Sequence, residues 1–300
     1  MDYIITTEDL TRKFGDFTAV DRLNIRIKPG EICGFLGPNG AGKSTAIRML
    51  CGILRPSSGR GLVINYDIDT QSEEIKKRIG YMSQKFSLYD DLTVEENLDF
   101  FAGIYGLPPN KRNKRIDELL TLMDLQAERR HLVKTLSVGY KQRLALASAI
   151  IAKPQVLFLD EPTSGVSPIS RRSFFDIIQA LAGQGTTIIV TTHFMDEAER
   201  CDRIAFLSQG RLLAFDNPEY LKQTSIDGLL VELDLPQPMS YINKLKQFPY
   251  VKDSFMYGSL LHVLVEEEKA IEKLAVSLNV TGKLIKPTLE DVFISLAKKR

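Results

Sequence analysis

The stretch GPNGAGKS, residues 37 to 44, constrains this chain more than any other. It fits the pattern G-x-x-x-x-G-K-[ST] position for position, between the apolar run EICGF and a helix expected from about Lys43 to Cys51. Gly37, Gly40 and Gly42 let the backbone wrap closely with its N–H groups turned inward. Pro38, Asn39 and Ala41 complete the cradle, and Thr45 follows it in the first helical turn. Lys43 is placed to reach the β- and γ-phosphates of a nucleotide, and Ser44 to offer its hydroxyl to magnesium. A strand feeding such a loop and then a helix belongs to an α/β core.

The rest of the first two hundred residues agrees. LNIRIKPGEICGFLG reads as two strands joined at Pro29-Gly30, and GLVINYD, RIGYMSQ, VLFLDE, TTIIVTTH and RIAFLSQ suggest further strands. Several are apolar on both faces, as the central strands of a helix-covered parallel sheet should be. Between Gln84 and Pro154 the period changes to 3.6, with TVEENLDFFAGIYG opening on a Thr93-to-Glu96 capping box, followed by KRIDELLTLMDL. This reads as a helical subdomain, about residues 86–153, inserted into the sheet.

After about Ser225 alternating strands at LLVELDL, YVKDSFMYG and SLLHVLVEE interleave with helical SYINKLKQ and EKAIEKLAVS. The order strand, helix, hairpin, helix, strand predicts a small α+β module of ferredoxin-like type, closed by a helix at LEDVFISLAKK. The chain therefore divides into residues 1–225 and residues 226–300.

A second chemical feature answers the phosphate loop. VLFLDE, residues 156 to 161, is an apolar strand ending in two carboxylates at the sheet edge where the loop should open. Asp160 is placed to hold magnesium through water, and Glu161 to polarise an attacking water as general base. LSVGYKQRLALA, residues 136 to 147, raises a separate question. It sets a serine and a glycine ahead of an alanine-rich helix, whose free N–H groups attract anions. One chain then carries two phosphate seats.

Composition narrows the classes of function. Thirty-nine basic against 38 acidic side chains leave a net charge of +1, which gives no general attraction to nucleic acid. No span approaches the ~18 apolar residues that cross a bilayer, and the start MDYIITTEDL lacks the apolar core of a secretory signal. A cytoplasmic chain is expected, with any membrane crossing left to other subunits. Cys33, Cys51 and Cys201 lack metal-ligand spacing and read as reduced core residues. The basic run NKRNKR, 110 to 115, is short and followed at once by acids, so a solvated start of a helix is favoured over a patch for anionic lipid.

With GPNGAGKST, Gln84, LSVGYKQR, LFLDEPTSG and His193 in that order, residues 4 to 220 resemble the ATP-binding subunits of ABC transporters. The ending PTLEDVFISLAKK resembles the tail of the branch that works with exporter-type permeases. The resemblance implies ATP and Mg2+ as ligands, with Gln84 touching magnesium and the attacking water. It implies that His193 contacts the γ-phosphate and holds Glu161 in line. Phe14 matches the aromatic position that stacks on adenine; Phe17 is its alternative, and core packing is a rival role for either ring.

The resemblance also resolves the two seats. Ser137 and the backbone at Gly139 would face the γ-phosphate held by a second ATPase subunit, a second copy of the same chain, in a head-to-tail pair with ATP between them. Integral membrane permease subunits complete the implied exporter, with this chain peripheral on the inner face of the membrane. Two positions depart from the family. Val138 stands where a second glycine is usual and Tyr140 where glutamine is, which leaves the backbone less free to approach phosphate. SGVSP replaces the usual SGLDP, so Ser167 stands in for an aspartate and brings no charge to the subunit interface. Two other classes are a soluble ABC ATPase of translation or DNA repair and a weakly catalytic regulatory partner. The first typically has tandem cassettes or a long coiled-coil insertion, neither of which is seen in this sequence. Glu161, Gln84 and His193 argue against the second.

Overall fold

The computed structural model describes residues 2–298. The chain forms two compact units, one ending at Asn217 and the other beginning at Pro218. The helix Pro218–Thr224 goes with the second unit, so the division falls earlier than the change of texture at 225.

The first unit is built on a six-stranded sheet. Its order is Arg211–Asp216, Arg203–Ser208, Ile32–Leu36, Thr187–Thr192, Val156–Asp160, Ile79–Met82. Only the first pair is antiparallel; the other four pairings are parallel. Every residue of the three central strands is buried, which explains why they read as unbroken apolar runs. Leu36 pairs with Thr192 and Asp160 with Thr191, so the strands finish level. The residues that follow these ends, at 37, 84, 161 and 193, are thereby brought to one edge.

A second, antiparallel sheet covers this core through strands Phe17–Leu23, Ile5–Phe14, Ser58–Val63 and Tyr66–Asp67, with Arg26–Ile27 pairing beside Ile5. Helix Lys43–Leu50 buries Ala46, Ile47, Met49 and Leu50 in a core shared with residues of both sheets. GLVINYD is not one strand. Ile64 and Asn65 both adopt positive φ, 52° and 61°, and turn the chain back on itself between Val63 and Tyr66. Its apolar residues thus serve the antiparallel sheet.

The inserted subdomain holds helices Val94–Ile104, Pro109–Leu122 and Val138–Ala149. The capping box forms as read: Thr93 Oγ1 accepts from the Glu96 N–H at 3.2 Å while Glu96 accepts from the Thr93 N–H at 2.7 Å. Two arginines of NKRNKR are structural. Arg115 donates to the carbonyls of Ile150 and Ile151 at the end of helix Val138–Ala149, and Arg112 to the carbonyl of Leu107.

In the second unit four antiparallel strands take the order Val251–Tyr257, Leu260–Val265, Leu229–Leu233, Gly282–Ile285. Numbered along the chain this is 2-3-1-4, the ferredoxin-like arrangement, with helices Ile242–Leu245 and Glu268–Leu278 as its crossovers. The tail motif has a visible task. Asp291, in helix Leu289–Lys298, is buried, lies 2.7 Å from Nδ1 of buried His262, and accepts from the N–H and hydroxyl of Thr288 at 2.7 and 2.8 Å. The motif caps its own helix and fastens it to the sheet; its Lys299 lies outside the described residues. Among the described residues no helix is long and apolar enough to cross a membrane.

Candidate active site

The loop between Leu36 and Lys43 is shaped by close backbone approach. Gly42 has φ 98°, and a Cβ there would lie 2.3 Å from the carbonyl oxygen of Ala19. No side chain caps the helix that follows, so its first N–H groups remain available to an anion. Pro38, Asn39 and Gly40 are exposed, Ala41 is buried, and Thr45 is half-buried in the first turn. Lys43 is only 3 % exposed. Its Nζ donates to the carbonyls of Gly37 and Pro38 at 2.8 and 3.1 Å and lies 3.4 Å from Glu161 Oε1.

Beneath the loop, Ser44 Oγ donates to Asp160 Oδ1 at 2.7 Å, and Thr191 Oγ1 donates to the same oxygen at 2.8 Å. The other carboxylate oxygen, Asp160 Oδ2, is buried with no hydrogen-bond partner. An unpaired buried anion is costly, and a cation with its water shell beside Ser44 would supply the missing partner. These residues fit magnesium.

Glu161 begins the loop after the strand with φ 48°, a left-handed conformation rare for a side chain of this kind. Its N–H donates to Thr191 Oγ1 at 2.8 Å, which fixes the turn to the neighbouring strand. The carboxylate is then surrounded by sequence-predicted partners. Gln84 Nε2 donates to Oε2 at 3.0 Å, and His193 Nδ1 lies 3.9 Å from that oxygen. Gln84, Lys43, Ser44, Asp160, Glu161 and His193 therefore converge, from three strand ends and one helix start. Such a constellation can hold a phosphate, a divalent cation and an oriented water in one place.

The second seat is elsewhere. Ser137 caps helix Val138–Ala149, accepting from the Tyr140 N–H at 3.5 Å. With Gly139 it lines a cavity of about 160 Å³ together with Asp124, Arg143, Ser170 and Phe174. None of the residues of the Lys43–Glu161 cluster borders it. Val138 is 50 % exposed. Ser167 caps helix Pro168–Gly183, accepting from the Ser170 N–H at 3.2 Å. Phe14 and Phe17 pair across the hairpin and are both exposed, which removes core packing as their role; Arg12 lies over the Phe14 ring at 4.6 Å.

A cavity of about 840 Å³ is bordered by Thr7, Asn24, Glu31, Arg203 and Phe215 and holds none of these residues. It lies where the parallel strands begin, at Glu31 and Arg203. Converging polar groups, not volume, mark the site. Sequence reasoning missed several of the groups that shape it. Gln142, buried in the Val138–Ala149 helix, donates to the carbonyl of Pro162 and so ties that helix to the loop after Glu161. Thr191 bridges Asp160 and Glu161. Glu197 is buried behind His193 with Thr163, Thr192 and Arg171 around it. Thr191 and Thr192 could have been singled out as the hydroxyls that close the apolar run at residues 188–190; the others carry no local signal.

The family described as ABC transporter matches residues 20–164. The probable multidrug ABC transporter ATP-binding protein YbhF of Escherichia coli is 50 % identical over 222 residues, covering 74 % of this chain and 38 % of that protein. The chain thus spans well under half the length of this relative. The Nod factor export ATP-binding protein I of Burkholderia pseudomallei is 34 % identical over 294 residues, covering 97 % of this chain and 96 % of that protein. A dimeric post-hydrolysis state of an ATP-binding cassette, bound to ADP and Pi, superposes with a TM-score of 0.65 at 27 % identity, over 71 % of this chain and 98 % of its own. Level strand ends, the phosphate loop and near full-length similarity agree: the chain belongs to the family of ABC transporter ATP-binding proteins.

Proposed function

We propose that this chain binds and hydrolyses ATP as the ATP-binding subunit of an exporter, working as a head-to-tail pair on separate permease subunits. The observation that carries the reading is the carboxylate of Glu161, hydrogen-bonded by Gln84, flanked by His193 and faced by Lys43. Lys43 is the cation for the β- and γ-phosphates. In binding them it leaves the Gly37 and Pro38 carbonyls and unmasks Glu161. Glu161 then takes a proton from the attacking water, with Gln84 and His193 fixing that water and the carboxylate. Ser44, Asp160 and Gln84 are the residues that would hold Mg2+, which when bound neutralises charge on the β- and γ-phosphate oxygens. Phe14, exposed at the hairpin, supplies a face for adenine.

The second seat closes the site of the partner subunit. Ser137 and Gly139 border a cavity apart from the chain's own phosphate loop, and Val138 and Ile169 leave apolar surface exposed near it, 50 % and 82 %. A second copy reading those groups accounts for both. Outward transport is supported by the names of the two relatives, one a probable multidrug and one a Nod factor export protein. The chain would then lie at the cytoplasmic face of the membrane through its permease. The test is Glu161→Gln: ATP binding should persist while phosphate release falls by about a hundredfold or more. Unchanged turnover rejects Glu161 as the base.

A further inference from the structure

Behind His193 lies a buried charge that the proposed chemistry leaves unused. Glu197, in the short helix Met195–Ala198, is 1 % exposed, and burial pushes its carboxyl above the ordinary range. Three segments converge on it. Thr163, two residues beyond Glu161, donates its hydroxyl to Oε1, and Thr192, immediately before His193, donates to Oε2. Arg171, on helix Pro168–Gly183 that Ser167 caps, places Nε 3.3 Å from Oε1 as an ion pair.

Arg171 also leads toward the site. Its guanidinium carbon lies 3.4 Å from the centre of the Phe194 ring, and its Nη1 lies 3.4 Å from Asp196. The Phe194 ring is in turn 4.0 Å from that of His193, tilted by 39°. Cation, ring and imidazole follow one another in contact, while the Phe194 N–H donates to Thr192 Oγ1 at 3.0 Å and holds the turn. A buried charged pair is a poor source of stability but a good source of a single geometry, because leaving either charge unpaired is costly.

We infer that Arg171 and Glu197 are positioning residues for ATP hydrolysis: their ion pair, acting through Phe194, fixes the His193 ring beside Glu161 and ties it to the helix that begins at Ser167. This rests on the assignment of Glu161 and His193 made above. Neither residue touches the reacting atoms. What they set is where the imidazole stands.

The chain has three histidines, so histidine-selective NMR of the full-length protein reads His193 with His131 and His262 as internal controls. In Arg171→Met and in Glu197→Gln the His193 signal should move or broaden while the other two stay. The same variants should lower kcat for ATP by about tenfold or more with KM within about twofold. Arg171→Lys should recover part of kcat, and in a His193→Ala background Arg171→Met should cost nothing further. A stationary His193 signal in the folded variants overturns the inference, as does an undiminished cost of Arg171→Met in that background. Should loss of the buried pair prevent folding, Phe194→Leu removes the intermediate ring alone and must displace the same signal; an unmoved signal there is equally fatal. A wild type without Glu161-dependent phosphate release overturns the hydrolytic reading and this inference with it. An active, Glu161-dependent wild type with an indifferent His193 signal overturns this inference alone.

Discussion

The two phosphate seats of this chain differ in how much each one finishes for itself. At the Lys43 loop nearly every polar group already has a partner within the chain: Lys43 on two carbonyls, Ser44 and Thr191 on Asp160, Gln84 on Glu161. At the Ser137 helix start the serine hydroxyl holds a long 3.5 Å cap, and Val138 beside it faces solvent. The first seat is wired in advance and waits for a ligand. The second is an N-terminus with little to bind against, and such an end adds only ~0.3 to 1 kcal/mol toward an exposed anion. The contrast teaches that the second seat becomes useful when another copy brings a phosphate to it and excludes water.

Four substitutions and one control probe that contrast. The largest effect belongs to the finished seat: Glu161→Gln should cut phosphate release by about a hundredfold or more while fluorescent-nucleotide titration reports unchanged ATP affinity. At the unfinished seat, Ser137→Ala should slow turnover by about tenfold, the scale of one hydrogen bond to a charged group. It should leave ATP binding to the single chain untouched, and a matching loss of binding would place Ser137 in its own chain's site. Phe14→Ala should raise KM for ATP by about fivefold, from ~1 kcal/mol of lost stacking, with kcat constant. Phe17→Ala is the control, and an effect there instead would reassign the ring. The smallest change is expected from Ser167→Asp. Aspartate caps a helix as well as serine does, so the melting temperature should hold, while self-association tightens by about twofold on the scale of an exposed charge pair. Weakened association would contradict an interface role for that position.

The sequence was most legible where chemistry sits at strand ends. Asp160, Glu161, Gln84 and His193 all follow runs whose burial on both faces is written in their composition, and the level ends of the parallel strands do the rest. Three things were not legible. The hairpin formed by Ile5–Phe14 and Phe17–Leu23 has register shifts near Arg12 and a positive φ at Asp9, which spoil the alternation that would have announced a strand. The turn at Ile64 and Asn65 breaks an apolar run without a glycine or proline to mark it. Glu197 and Arg171 look like surface charges in THFMDEAER and SRRSFF, because pairing across 26 residues of chain (197 − 171) leaves no local pattern.

One measurement bears directly on the comparison of the seats: the mass of the Glu161→Gln protein by light scattering, with and without Mg2+ and ATP. The account predicts a single copy without nucleotide, a pair with it, and return to single copies when a chelator removes the metal or when Ser137→Ala is added. A Glu161→Gln protein that is saturated with Mg2+ and ATP yet stays a single copy at every concentration would contradict it.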